Sequence, residues 1–114
     1  RNIHINFTVD GQNFEAVGFL NDYEGSVHGV EMFKRTYDEN DGPIGNVDCD
    51  FLSERRNQLP ASLQDYRLVT GHYFLADDPR DKQCFFYSDS KWHGKLVYIG
   101  DQFDKNHLVL RRCK

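Results

Sequence analysis

The sequence lacks the short motifs that mark many enzymes and nucleotide-binding proteins. It has no GxSxG nucleophile motif and no glycine loop with the spacing that cradles phosphate groups. No two of its five histidines are separated by four positions, the spacing of a helical zinc site. No apolar run approaches the roughly 18 residues of a membrane-spanning helix. The sequence therefore predicts no cofactor, no metal site and no membrane span.

Cysteine and basic residues are also few. The three cysteines, Cys49, Cys84 and Cys113, form no CxxC pair, so the close ligand pairs of a zinc site are absent. Their odd number allows at most one internal disulfide. Fourteen Lys and Arg against 18 Asp and Glu give a net charge of −4. This balance disfavours nonspecific nucleic-acid binding through a broad basic face, but it leaves room for a local basic patch.

Aromatic residues are plentiful, and they favour a folded chain. Nine Phe, six Tyr and one Trp make up 14% of the 114 residues, whereas disordered chains are poor in aromatics. This length predicts a single domain, residues 1–114, that can bury roughly two-thirds of its unfolded surface. The chain begins at Arg1 without a methionine, which indicates a mature or trimmed product whose signal peptide has been removed.

The first half predicts a hairpin followed by a helix. Apolar and polar residues alternate over residues 3–9, and Asp10-Gly11 suits a tight turn. Residues 14–20 are then the return strand or the approach to the helix. Apolar side chains next recur at helical spacing at Tyr23, Val27, Val30, Phe33 and Tyr37. Residues 44–65, interrupted by Pro60, predict a long connection with at most one short helical turn.

The second half predicts an antiparallel meander. Strand-like segments over residues 66–75, 83–88, 92–99 and 107–112 are separated by short turns and loops. The predicted fold class is α+β: an N-terminal β-hairpin and one main α-helix packed on a four-stranded antiparallel sheet.

Two sets of side chains in this half are candidates for function. His72 and His93 lie on predicted strands that can be neighbours, although ordinary strand residues are the simpler interpretation. Adjacent aromatics on a strand point to opposite faces, so some of the rings either lie under the helix or form an exposed interaction surface. The candidates for that surface are Tyr73, Tyr87, Trp92 and Tyr98. An entirely buried aromatic core is the alternative.

The order of elements, with Phe7-Thr8-Val9-Asp10-Gly11 near the start and Arg112-Cys113-Lys114 at the end, resembles the small guanyl-specific fungal ribonucleases. The closer resemblance is to the ribonuclease-like secreted effectors of powdery mildew fungi. Val9 stands where that family often has cysteine, so the family's bridge between the chain ends is missing or Cys113 pairs elsewhere. Within this resemblance, Cys49 with Cys84 is the first expected disulfide. Cys113 is then unpaired, or pairs with Cys49 instead.

The resemblance also allows a test for catalysis. Those ribonucleases need a Glu base, an Arg that steadies the phosphorane and a His acid on successive central strands. Residues 69–75 contain no Glu, residues 83–88 contain no Arg, and residues 100–103 contain no His. The resemblance therefore implies a ribonuclease-like scaffold without its active site, and not an enzyme.

Three hypotheses of function follow. The first is a secreted, noncatalytic fungal virulence effector of the avirulence type, translocated into the host cell cytoplasm. It would bind a host plant protein, an immune receptor or, weakly, RNA. The second is a small secreted ribonuclease that uses His72 and His93 as an acid–base pair, which requires both rings in one cleft. The third is an unrelated α+β protein-interaction module, which a different strand order would favour.

Overall fold

The computed structural model describes residues 2–39, 42–73 and 78–113. Eight strands and two α-helices follow one another along these residues. Their bounds are β1 (Ile3–Val9), β2 (Gln12–Gly18), β3 (Ser26–His28), α1 (Gly29–Glu39), α2 (Asn46–Glu54), β4 (Arg67–Val69), β5 (Asp81–Ser88), β6 (Lys91–Tyr98), β7 (Gln102–Asp104) and β8 (His107–Arg112). Single turns of 3-10 helix at Arg56–Gln58 and Ala61–Leu63 lead from α2 toward β4.

Six of the strands form one mixed sheet in the order β1-β2-β8-β4-β5-β6. Strands β4 and β8 run parallel, the other neighbours in this sheet run antiparallel, and β3 pairs with β7 in a separate ribbon. The α+β class is confirmed, but the predicted four-stranded antiparallel sheet is wrong. The reason is that the last strand does not join the end of the meander. It inserts between β2 and β4, and it thereby joins the hairpin to the β4–β6 meander.

Two tight turns have positive φ at both of their central residues. Asp10 and Gly11 have φ values of 46° and 76°, and they join β1 to β2. Asp89 and Ser90 have φ values of 52° and 65°, and they join β5 to β6. Positive φ at both central positions is the geometry that matches the twist of the flanking strands. The sequence predicted the Asp10-Gly11 turn and a short connection between the strand-like segments 83–88 and 92–99.

The six-stranded sheet buries side chains on both faces, which we call the α2 face and the α1 face. Successive side chains of β8 point to opposite faces: Leu108 and Leu110 pack on the α2 face, and Val109 packs on the α1 face. The α2 face also holds Phe14, Leu52, Leu63, Leu68 and Phe85. The α1 face also holds Val17, Met32, Val69, Cys84 and Phe103. The molecule therefore has three layers, with the main sheet in the middle.

The predicted helical stripe is wrong in its start and in its buried face. Val27 belongs to β3, and α1 begins only at Gly29. Three other members of the stripe are exposed: Tyr23 at 102%, Val30 at 50% and Tyr37 at 58%. The buried side chains of α1 are Met32, Phe33 and Thr36. Apolar residues of the short strand β3 and of α1 together have the spacing expected of one longer helix.

The second helix was not predicted as a full element. Residues 44–65 were expected to be a connection, yet α2 spans Asn46–Glu54 and buries Cys49 and Leu52. Arg55, directly after α2, donates from Nε to Asp10 Oδ2 at 2.6 Å and so ties the helix to the β1–β2 turn. Within the described residues, neither helix is long and apolar enough to cross a membrane.

Candidate functional site

His72 and His93 do not share a cleft. The ring of His72 contacts Asn46 at the start of α2, so it lies on the α2 side of the sheet. His93 lies opposite Phe86 on the α1 face, because its neighbour Trp92 packs in the core of the α2 face. The prediction of an acid–base pair from these two residues is therefore wrong.

The three cysteines are free thiols, and the sheet separates two of them. Cys49 packs under α2 on one face, whereas alternation along β5 places Cys84 on the other face. The expected Cys49–Cys84 disulfide is therefore wrong, and so is the Cys49–Cys113 alternative. Burial raises the pKa of Cys49 to about 11, and burial does the same for Cys84. Cys113 follows β8 and is half-buried.

The four candidate aromatic residues do not form one exposed surface. Tyr87 and Trp92 contact each other edge to face, with ring centroids 5.5 Å apart. Trp92 is only 5% exposed, so it belongs to the core and its predicted exposure is wrong. Tyr98 is 37% exposed at the far end of β6, beneath the guanidinium of Arg80. The ammonium of Lys82 lies 4.8 Å from the ring centroid of Tyr73, which is half-buried.

A group of cationic and aromatic side chains crosses the α1 face of β8, β4, β5 and β6. Arg67 lies beside His107, and Phe86 lies beside His93. Phe86 stacks on His93 with ring centroids 5.2 Å apart, and the Lys95 ammonium lies 4.9 Å from the Phe86 centroid. The exposed Arg67 and Lys95 therefore extend from a framework of packed rings.

His107 is the buried member of this group. Its ring stacks on Phe103 with centroids 4.6 Å apart, and its Nδ1 lies 3.1 Å from the Asp104 amide nitrogen and 3.0 Å from Asp104 Oδ1. Burial lowers the pKa of His107 below the ordinary histidine value, and the charges of Arg67 and Lys95 lower it further. The Asp104 carboxylate opposes both effects without reversing the direction. The imidazole is therefore mainly neutral at pH 7.

The two exposed cations carry charge that the described residues do not neutralise by contact. No carboxylate described here lies within 4 Å of the charged nitrogens of Arg67 or Lys95. Both charges lower the pKa of His107, so both act on the region around that ring. This region has the side-chain chemistry of a site for an anion.

Three depressions adjoin one another, and together we call them the sheet-end groove. The first lies on the α1 face and reaches Asp81 and Tyr98 at the far end of β5 and β6, the second lies where β5 ends, and the third lies on the α2 face beside Trp92. The first, of about 430 Å³, shares Arg67 with the second, of about 340 Å³. The second shares Gln64 and Tyr87 with the third, of about 310 Å³. The cations along the groove are Lys95, Arg67, Arg56 and Lys91. The rings are Tyr98, Phe103, His107, Tyr66, Phe86, Tyr87 and Trp92, and the acids are Asp81, Asp101 and Asp65.

A second polar cluster joins β1, β2 and β8 on the α1 face. Glu15 Oε2 lies 2.6 Å from His4 Nε2, and Glu15 Oε1 accepts a charge-assisted hydrogen bond from Arg111. Glu15 and Arg111 are both buried. Because each carboxylate oxygen already has a partner, we assign this Glu, Arg and His to holding three strands together.

The groove could not be predicted from the sequence, because its residues come from many separate segments between Arg56 and His107. The local signals are the Arg55-Arg56 pair and the alternation of Lys91, His93 and Lys95 along β6. Within the described ranges, no three His, Cys, Asp or Glu side chains are grouped so that they could hold a metal ion. Comparison of the chain with protein-family models, with curated proteins and with solved structures found no match.

Proposed function

We propose that this chain is a noncatalytic binding protein whose ligand is single-stranded RNA held in the sheet-end groove. The observation that carries the proposal is that the three depressions adjoin one another, since they share the lining residues Arg67, Gln64 and Tyr87. Single strands usually bind in grooves where cations follow the phosphates and exposed rings stack on the bases. This groove has four cations against three acids, and Phe103, Trp92 and His107 are buried. The rings that can reach bases are therefore the partly exposed ones: Tyr66, Phe86, Tyr87 and Tyr98.

The charge of the whole chain sets the expected strength of binding. A net charge of −4 opposes the approach of a polyanion, so the attraction must come from the groove alone. Binding through a few phosphate contacts weakens steeply as salt rises, because each contact releases condensed counterions. The proposal therefore implies modest, salt-sensitive affinity and not the avid binding of a basic domain.

Two observations support the noncatalytic part of the proposal. His72 and His93 lie on opposite faces of the sheet, so they cannot act on one phosphate. The segments that the resemblance aligns with the catalytic strands of fungal ribonucleases carry none of the required Glu, Arg and His residues. General acid–base cleavage needs groups on both sides of the reacting phosphate.

The biological setting that we propose is a secreted effector of a plant-infecting fungus, acting in the host cytoplasm. Its support is the resemblance in element order and end features to the powdery mildew effectors. The parallel pair of β4 and β8 departs from the antiparallel sheet that this resemblance implies. That observation favours a second candidate, an unrelated α+β module that binds a protein partner. In that case the exposed cations of the groove contact the partner protein or immune receptor.

Fluorescence anisotropy with a short single-stranded RNA of mixed sequence tests the proposal. The wild-type protein should bind at low salt, and Arg67→Gln should weaken binding roughly tenfold or more, as loss of one charge-assisted contact does. Lys34→Gln is the matched control, because Lys34 is exposed on α1 outside the groove. Absence of binding at low salt, or equal loss in both variants, would reject RNA and favour the protein partner. Cleavage of the RNA by purified protein would reject the noncatalytic part.

A further inference from the structure

We propose that the first depression of the groove is a pocket for a terminal phosphate group of the bound strand. We call it the end pocket, and its floor and walls include Arg67, Lys95, Val97, Gln102, Phe103 and His107. This inference rests on the proposed function, since it assigns a particular chemical group of the RNA to one part of the same groove.

The arrangement of nitrogen donors supports the assignment. The guanidinium of Arg67 and the ammonium of Lys95 are exposed, and His107 lines the end pocket between Phe103 and β4. Nδ1 of His107 is engaged by Asp104, which leaves Nε2 as the ring nitrogen that can meet a ligand. Two cationic donors and one ring nitrogen, from three strands, thus line one cavity of about 430 Å³, a volume typical of small-ligand sites.

The site is held in place before any ligand arrives. Phe103 stacks on the His107 ring, and Phe86 fixes the position of Lys95 through a cation–π contact. Asp104 is the acid nearest to His107, and its carboxylate is already engaged by the His107 ring and by the Asn106 amide. Prior placement of donors reduces the cost of ordering side chains on binding.

The acidic side chains of the end pocket limit where a phosphate can bind. Asp81 begins β5 three residues before Cys84, the residue paired with Lys95. This spacing places Asp81 about 10 Å along the strand from the position of Lys95. Asp101 lies just before β7, where its carbonyl accepts the Gly29 amide. The phosphate is therefore expected beside Arg67 and Lys95, at the part of the pocket that joins the rest of the groove.

The position of the end pocket favours a terminal over an internal phosphate. Among these three depressions of the described residues, it shares a lining residue with the second and none with the third, so it lies at one end of the row. A strand lying along the groove would end there. A terminal phosphomonoester carries about −1.5 to −2 charge at pH 7, which two cations match better than the single charge of an internal diester.

Affinities for three otherwise identical short RNAs, measured by calorimetry, test the inference. One carries a 5′-phosphate, one a 3′-phosphate, and one has hydroxyls at both ends. One phosphorylated RNA should bind roughly tenfold more tightly than the hydroxyl form, as expected for added charge-assisted hydrogen bonds. Lys95→Gln should abolish this advantage, while the control Lys34→Gln should keep it. Both positions are exposed, so neither substitution should disturb folding.

The outcomes separate the two proposals. Equal affinity for all three RNAs would overturn the end pocket and leave RNA binding in the groove intact. Failure of every RNA to bind would overturn the proposed function. In that case the His107 ring is followed by NMR during titration with inorganic phosphate. A ring shift that Lys95→Gln removes would support the pocket without RNA, and no shift would overturn it. An advantage that survives in Lys95→Gln would also overturn the assignment.

Discussion

At the scale of single residues, close packing of backbone against backbone constrains the start of α1. A Cβ atom added to Gly29 would lie 2.5 Å from the carbonyl oxygen of Ile99, and the Gly29 amide donates to Asp101 O at 2.8 Å. Helix α1 and the segment before β7 therefore approach each other at a position that admits no side chain.

We predict that Gly29→Ala lowers the free energy of unfolding by about 1–3 kcal/mol, the range for overpacking. Urea denaturation measures the effect. Gly25→Ala is the matched control, because nothing lies within 4 Å of its added Cβ. That substitution should leave stability unchanged or raise it by up to about 1 kcal/mol. Equal effects of the two substitutions would show that the contact with Ile99 is wrong.

The free cysteines allow a direct count of reactive thiols. Cys49 and Cys84 are buried, and burial raises the pKa of each thiol to about 11, so neither should react with a thiol reagent while the protein is folded. Cys113 alone should react in the native protein, and all three should react in denaturant without reductant. Cys113→Ser should remove the native reaction. Fewer than three reactive thiols in denaturant would reveal a disulfide and contradict the structure.

His107 makes stability depend on pH. Its pKa is lowered in the folded state, mainly by burial, so the unfolded chain takes up a proton first as pH falls through 6.5. The contribution of neutral His107 is therefore present above pH 6.5 and is lost as pH falls below it. His107→Gln should make the free energy of unfolding less sensitive to pH between 7.5 and 5. If the free energy of unfolding changed equally with pH in wild type and variant, this account would be contradicted.

At the scale of elements, the turn between β5 and β6 contains a residue in an unfavourable backbone region. Ser90 has φ of 65°, which costs an L-residue more than glycine. Ser90→Gly should raise the free energy of unfolding by about 0.5–1 kcal/mol, measured by urea denaturation. Gly11→Ala makes the reverse change at φ of 76°, where nothing crowds the added Cβ, and should destabilise the β1–β2 hairpin. The same sign for both changes would contradict the turn geometry.

Elements with local signals could be predicted from the sequence, whereas those set by distant partners could not. Strict alternation and the Asp10-Gly11 turn specified the β1–β2 hairpin, and β8 has the predicted bounds His107–Arg112. Nothing local specifies that β8 pairs in parallel with β4, because that choice depends on packing across the whole sheet. Helix α2 was missed because it buries only Cys49 and Leu52, too few apolar positions to define a helical period.

At the scale of the whole molecule, the net charge does not reveal the local group of cations on which the proposed function depends. The chain carries −4 overall, yet one groove is lined by four cations against three acids. Composition alone disfavoured nucleic acid as a ligand and left only a local patch open. The fold creates that patch by bringing Arg56, Arg67, Lys91 and Lys95 together from three regions of the chain. Local arrangement, and not average charge, decides which ligand such a domain can hold.

The most direct test of the central claim is NMR mapping of backbone amides during titration with a short single-stranded RNA at low salt. The account predicts shifts confined to the sheet-end groove, with the largest changes near Arg67, Tyr87 and Lys95, and none at the exposed Lys34 on α1. These shifts should vanish as salt rises. Shifts centred on another surface, or no shifts at low salt, would contradict the account.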